Sequence, residues 1–366
     1  MQGSIRFGRI AGIPVLVHWS LVVIGVLLSL NLAHAVAPRD GLSAGSVTAA
    51  VAAAVAFFGS VLAHELAHAL TARRYGVATE SITLWGLGGL AQLSDEPPTA
   101  KAQGWIALAG PVASAVLGGI GLGGALWLDS RGVSGEAVTM VGWLGVINLL
   151  LAAFNLLPGA PLDGGRLVTA WRWGRHGDRY LAMAEAANAG RFIGWAIAGI
   201  GVYLMVNGAG GVFVIVTGVF IALNASAERQ GAQARQRLAG LLVADLTFYG
   251  IAHAPRDTDA ETMLWQRRRL GLPGVVAVDD PTGATVGLVA EEQLWRVPEL
   301  RRPDTELGEL AVPLQQIAKA RPDEQLTSAL ARLRPALPLL TVWSDDRLVG
   351  VVTEEAVRQH LVFAEG

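Results

Sequence analysis

His64-Glu65-Leu66-Ala67-His68 stands near the end of an apolar run from Val47 to Leu70. Residues four apart on a helix lie about 40° apart around its axis, so both imidazoles can reach one ion. Glu65 sits beside them, free to act on water held by that ion. This is the HExxH pattern, and its chemistry is zinc-assisted hydrolysis with the glutamate as general base. The neighbourhood is unusual for such chemistry. Phe57-Phe58-Gly59-Ser60-Val61-Leu62-Ala63 precede it and read as lipid-embedded helix. The chain has no cysteine, so a metal here must be held by His, Asp or Glu.

A two-histidine zinc site needs a third protein ligand, with the fourth position left for water. His18, His34, His176, His253 and His360 show no partner pattern. Asp163 is the better candidate, in Asn155-Leu156-Leu157-Pro158-Gly159-Ala160-Pro161-Leu162-Asp163-Gly164-Gly165-Arg166. Two prolines break the preceding helix and two glycines permit a tight turn. Such a segment can fold back into the protein interior, where irregular backbone is tolerated at membrane depth.

The elements that must position these residues are mostly membrane spans. Of 366 residues 52% are hydrophobic and only 16% charged, with 45 glycines, against about 25% charged in soluble domains. A net charge of −2 and the lack of any basic, aromatic-interleaved patch exclude nucleic acid as a partner. Spans are expected at Val15 to Val36, Val47 to Thr71, Trp105 to Leu128, Val138 to Leu157, Phe192 to Val206 and Val212 to Leu223. Residues Met1 to Pro14 form a polar or strand-like lead. The lead and first span imitate a signal peptide, yet the apolar run is long enough to span and reads as retained. Val77 to Leu93 is too broken by glycine for a span and reads as a hairpin or re-entrant loop. Gly119 and Gly123, four apart in the third span, have a spacing that permits close helix approach.

Six spans place both termini on one side. Arg6, Arg9, Arg73, Arg74, Lys101, Arg166, Arg172, Arg175, Arg179, Arg229, Arg235 and Arg237 fall on that side, against Arg39 and Arg131 opposite. The positive-inside rule then makes the termini cytoplasmic and puts His64 about 14 Å deep.

From about Leu241 the composition becomes that of a soluble domain. Gly274-Val275-Val276-Ala277-Val278-Asp279 with Gly287-Leu288-Val289-Ala290-Glu291-Glu292 is echoed by Leu339-Leu340-Thr341-Val342-Trp343 with Gly350-Val351-Val352-Thr353-Glu354-Glu355. This is an internal repeat of roughly 60 residues. The expected organisation is a six-span membrane domain over 1–228, a polar connector over 229–240, and α/β modules over 241–300 and 301–366. The fold class is thus a multi-pass α-helical membrane protein with a re-entrant hairpin and a soluble α/β tail.

The HExxH helix and the Asn155 to Gly164 segment together resemble the site-2 proteases, the intramembrane zinc metalloproteases of peptidase family M50. Ala109-Gly110-Pro111, Asn148, Gly8-Arg9-Ile10-Ala11-Gly12 and Val17-His18-Trp19-Ser20 are similar to the Rip-type members of actinobacteria. The C-terminal repeat looks like the tandem CBS modules of one branch of that family. The resemblance implies His64, His68 and Asp163 as zinc ligands and Glu65 as catalytic base, with one zinc per chain. It implies the second cut of regulated intramembrane proteolysis, in a transmembrane protein of which anti-sigma factors are one class, at the cell membrane.

Asn155, and with it Asn148 seven residues earlier, are candidates for holding substrate backbone or the oxyanion, or are interhelical glue. His18 reads as an interface residue rather than a site residue. The stretch Ser81 to Leu93 is either a strand whose free edge captures an unwound substrate or a plug over the site. A CBS-like pair would by family habit bind an adenine nucleotide. Here Gln293 and Ala356 stand where the ribose-binding Asp is expected, which favours dimer or partner contacts instead. The alternative to an enzyme is a catalytically silent membrane adaptor or ligand sensor of the same fold. Retention of Glu65 with both histidines and Asp163 argues against it.

Overall fold

The structure is a computed structural model, and it describes residues 3–36, 41–86, 88–133, 135–270, 274–334 and 337–363. The chain divides into two compact units, Met1–Gln233 and Ala234–Gly366.

In the first unit β1 (Ser4–Ile10) and β2 (Ile13–His18) form an antiparallel hairpin with Ile10 opposite Ile13. Its two turn residues, Ala11 and Gly12, both have positive φ, at 50° and 84°. That conformation matches the twist of the flanking strands. Then come α1 (Trp19–Val36), α2 (Ala44–Arg74), β3 (Thr79–Trp85), β4 (Gly88–Leu93), α3 (Ala100–Ser130), α4 (Glu136–Asn155), α5 (Asp163–His176), α6 (Arg179–Val206) and α7 (Val212–Leu238). All of these except α5 and the strands are long and apolar enough to cross a membrane, giving six candidate spans.

The larger departures from the expected boundaries have physical reasons. Val15 to His18 belong to β2 and not to the first span, which starts at Trp19. A short run of alternating Val and Leu reads alike in either state, and parallel pairing with β3 decides it. The hairpin at Val77 to Leu93 is therefore half of a sheet ordered β1-β2-β3-β4. The polar stretch Pro158 to Tyr180 contains α5, and α6 starts at Arg179, well before Phe192. Glu185 had lowered the apolarity of that first part of α6. Its carboxylate is paired in the fold with the Arg172 guanidinium of α5. Finally α7 runs past Leu223 to Leu238, so much of the 229–240 stretch is helix, as its Ala, Gln and Arg content favours.

Helices in lipid gain little from apolar burial against one another and pack through small residues. At the α3/α4 contact Gly118, Gly121 and Gly145 permit the close approach. A Cβ added to Gly121 would lie 2.9 Å from the Gly145 Cα. The expected pair, Gly119 and Gly123, has no atom within 4 Å of that position.

The second unit holds two four-stranded sheets. One orders Ala252–Pro255, Val275–Asp279, Thr285–Ala290 and Val312–Pro313; the other orders Ala318–Ala320, Leu339–Ser344, Arg347–Thr353 and Phe248–Tyr249. The short outer strands are exchanged: Phe248–Tyr249 precedes the first sheet yet pairs in the second, and Val312–Pro313 does the reverse. One core cluster joins Val275, Leu288 and Ala290 to Leu339 and Val351. The two halves therefore bury apolar faces against each other.

Candidate metal centre

Helix α2 carries His64, Glu65 and His68, and α3 with the start of α5 packs against both imidazoles, which are 4% and 5% exposed. Their Nε2 atoms are 3.1 Å apart. Asp163 opens α5 at 7% exposure, and its Oδ2 lies 3.1 Å from His64 Nε2 and 3.2 Å from His68 Nε2. Three donor atoms from two elements thus converge, and they form the only group of three or more such residues among those described.

The local sequence explains the convergence. Helix α4 ends at Asn155, before Pro158 and Pro161, and the chain doubles back into α5. The doubled segment is tight enough that a Cβ on Gly164 would lie 2.2 Å from the Leu157 carbonyl oxygen. Helix α6 supports it from behind: the Ala160 N–H donates to the Ala186 carbonyl at 3.1 Å. A Cβ on Gly190 would fall on the Ala160 carbonyl oxygen. Asp163 is thereby held by backbone contacts on both sides.

The outer ring nitrogens are also committed. His68 Nδ1 donates to the Ile106 carbonyl at 2.6 Å, which leaves Nε2 as the lone-pair nitrogen of the neutral ring. His64 Nδ1 lies 2.9 Å from the hydroxyl of Ser114, which is fully buried on α3 and can accept from that nitrogen when Nε2 serves as the lone-pair donor. Between these two contacts sits Gly110, where a Cβ would lie 2.2 Å from His68 Nε2 and 2.5 Å from His64 Nε2. The space in front of the donor nitrogens is open because α3 has no side chain there.

Glu65 is half-buried on α2 and is not one of the three converging donors. Strand β4 crosses it closely, since a Cβ on Gly89 would lie 2.3 Å from Glu65 Cγ. Asn148 is buried and Asn155 half-buried, and each donates Nδ2 to a carbonyl one turn back, Leu144 at 2.8 Å and Leu151 at 3.0 Å. The Oδ1 of Asn148 is buried without a partner among the described residues. No hydrogen bond joins either asparagine to the three donors among the described residues. His18 is not part of the cluster. Its ring bonds the Ser20 hydroxyl at 2.8 Å, and that hydroxyl accepts the Gly86 N–H at 3.0 Å, beside the β3–β4 turn.

Sequence reasoning missed Ser114, Gly89 and the Ile106 carbonyl. Ser114 had a signal: a lone polar residue in an apolar span, four residues after Gly110 and so on its face. A backbone carbonyl has no sequence signature at all.

In the second unit, the Gln293 side chain and the Ala356 backbone, at the positions where a ribose-binding Asp is expected, make contacts at the starts of their helices. Gln293 Oε1 accepts the Ala290 N–H at 2.8 Å and its Nε2 donates to the Leu310 carbonyl. The Ala356 N–H donates to the Thr353 hydroxyl at 3.2 Å.

The model of peptidase family M50 matches residues 52–130 and 128–201. The provisionally named zinc metalloprotease Rip3 of Mycobacterium tuberculosis is 41% identical, over 98% of this chain and 92% of its own. The chain belongs to peptidase family M50. Among solved structures, a site-2 protease from Methanocaldococcus jannaschii is 27% identical over 62% of this chain and 95% of that one, with a TM-score of 0.47. The CBS domain of a bacterial CNNM/CorC family Mg2+ transporter is 19% identical over 38% of this chain and 90% of that one, with a TM-score of 0.30.

Membership of family M50, with such a relative, makes this a membrane zinc metalloprotease. The donor set fits the metal. Two imidazoles and one carboxylate are a usual catalytic-zinc set, and tetrahedral coordination at about 2.0–2.1 Å separates ligand atoms by about 3.3 Å. The separations found here, 3.1, 3.1 and 3.2 Å, are close to that. Ser114→Ala should lower zinc affinity about 10–100-fold, the usual effect of losing an outer-ring partner. A zinc titration with a competing chelator measures it.

Proposed function

We propose that this M50 protease is an intramembrane endopeptidase that hydrolyses a peptide bond in or near a transmembrane segment of another protein. The observation that carries the reading is the position of the buried donor triad: His64 stands ten residues, about 15 Å, before the end of a helix long and apolar enough to cross a membrane, which supports a site within the bilayer. Zinc ligation falls to His64, His68 and Asp163, and the bound metal would lower the pKa of water and polarise the scissile carbonyl. Glu65 accepts the proton of the attacking water on its carboxylate and delivers it to the leaving amine as the C–N bond breaks. The Ile106 carbonyl keeps His68 in the tautomer this requires, and the Ser114 hydroxyl holds the outer nitrogen of His64 and orients its ring. The second hydrogen of each asparagine amide is a donor for substrate carbonyl or oxyanion, Asn155 before Asn148.

Helical amides are protected from attack, so the substrate must unwind. Strand β4 is the outer strand of its sheet and runs past Glu65. An extended substrate segment paired along it would come to the base as a strand. The basic excess supports a cytoplasmic side for both termini and the C-terminal unit, and the role proposed is the second cut of regulated proteolysis, with anti-sigma factors as one substrate class. Purified enzyme and a single-span reporter in lipid vesicles test this, with the cut mapped by mass spectrometry. The cut is expected inside the apolar segment or at its edge on the cytoplasmic side. Cleavage confined to soluble loops overturns the proposal.

The second unit reads as a tandem CBS-like pair, modules 241–300 and 301–366 after a connector at 229–240, making dimer or partner contacts rather than binding an adenine nucleotide. The structural duties of Gln293 and Thr353 support that preference. Titration with AMP, ADP or ATP should leave the melting temperature unchanged, and a clear saturable rise would reverse the preference.

A further inference from the structure

Between the first turns of α3 and the last turns of α5 lies a groove of about 430 Å³. Its lining is small or apolar: Ala100, Gly104, Leu108, Leu167, Ala170 and Gly174. The helices run close, since a Cβ on Gly104 would meet that of Ala170 at 3.6 Å, and one on Gly174 would meet that of Ala100 at the same distance. Trp105 and Trp171 also line it and are 53% and 54% exposed.

Two cations flank this apolar channel. Lys101 lines it directly, and the Arg175 guanidinium lies 4.6 Å over the Trp171 ring. The acidic groups beside these two helices in sequence have other partners: Glu185 pairs with Arg172 and Glu96 with Arg179, Asp178 accepts the Leu181 N–H, and Asp95 accepts from the Ser94 hydroxyl. Lys101 and Arg175 form no ion pair among the described residues. The channel therefore offers apolar walls, two half-exposed indoles and two unneutralised cations at one end of a membrane-length helix.

We infer that this groove is a specific site for one anionic phospholipid, with an acyl chain between Trp105 and Trp171 and the phosphodiester at Lys101 and Arg175. Indoles settle at the membrane interface, and each basic residue there adds about 1 kcal/mol of attraction to anionic lipid. A zwitterionic lipid brings its own cation to the same place and loses that gain. Free phosphate shares the headgroup chemistry but leaves the walls bare. A substrate helix is too large: at about 10 Å across, roughly one turn would fill the volume. The site matters to the enzyme because the helix that lines it with Leu167, Ala170, Trp171 and Gly174 begins at Asp163.

Native mass spectrometry of the full chain, released from nanodiscs of phosphatidylcholine with a minor fraction of phosphatidylglycerol, tests the site. One phosphatidylglycerol retained per chain is expected, and no phosphatidylcholine. Lys101→Gln together with Arg175→Gln should lower that retention at least about tenfold, with the melting temperature in pure phosphatidylcholine unchanged. Gly104→Leu keeps both cations, fills the floor and should also release the lipid; it decides the matter if the double variant is unstable. Equal retention by both variants, equal retention of phosphatidylcholine, displacement by inorganic phosphate, or a peptide found in place of the lipid each overturns the inference.

Discussion

Glu65→Gln is expected to keep one zinc per chain and to lower cleavage of a transmembrane reporter by about 10²–10⁴-fold, the usual contribution of a general base. The two outcomes separate because of where Glu65 sits. It is adjacent to His64 in sequence but is not among the three converging donors, so its loss leaves the ligand set intact. Glutamine has the same shape, and the close passage of β4 at Gly89 is undisturbed. What disappears is a carboxylate able to take a proton from water and return it to the amine. Metal analysis and cleavage rates on one preparation in vesicles measure both. A variant that holds zinc and cleaves within a few-fold of the parent moves the base elsewhere. A variant that loses zinc makes Glu65 a ligand.

The parts of the site legible in the sequence were those with a fixed spacing or a fixed chemistry. Two histidines at i and i+4 in an apolar run require a shared helix face, and Asp163 stood out as a carboxylate between helix breakers. What was illegible depends on contacts between distant segments. The run from Val15 to His18 could have been helix or strand until β3, beyond both α1 and α2 in sequence, was there to pair with it. Helix α5 was hidden because its Arg and Trp content suits an interfacial helix and gives no spanning signal. The Gly119/Gly123 spacing permits close approach, but spacing does not say which face of α3 meets α4, and the glycines that do so are others. The outer strands of the second unit are exchanged between repeats, a pairing that no local pattern encodes. The same limit applied to His68: the ring nitrogen left with its lone pair is selected by a carbonyl on α3, visible only once the helices are packed.

Asp163→Ala should abolish cleavage and lower zinc affinity by more than about 100-fold. Zinc bound by four ligands in a folding peptide contributes about 10–16 kcal/mol, so one ligand is worth about 3 kcal/mol. The alternative account of the same geometry is an interhelical polar contact, in which Asp163 serves only to satisfy two buried imidazoles. The two accounts differ in what each variant disturbs. If the contact is only structural, Asp163→Ala leaves two buried rings without their carboxylate and shows itself as a lower melting temperature with zinc uptake unaffected. If the carboxylate is a ligand, the loss appears in the zinc titration and Asp163→Asn falls between, because an amide oxygen is a weaker donor than a carboxylate. The expected order of zinc affinity is parent and Glu65→Gln highest, Ser114→Ala below them, Asp163→Asn lower, and Asp163→Ala lowest. The order follows each group's place in the structure: Glu65 outside the triad, Ser114 one bond behind His64, and Asp163 at 3.1 and 3.2 Å from the two ring nitrogens themselves. Zinc uptake by Asp163→Ala equal to that of the parent would reduce Asp163 to a packing role and leave two histidines in search of another third ligand.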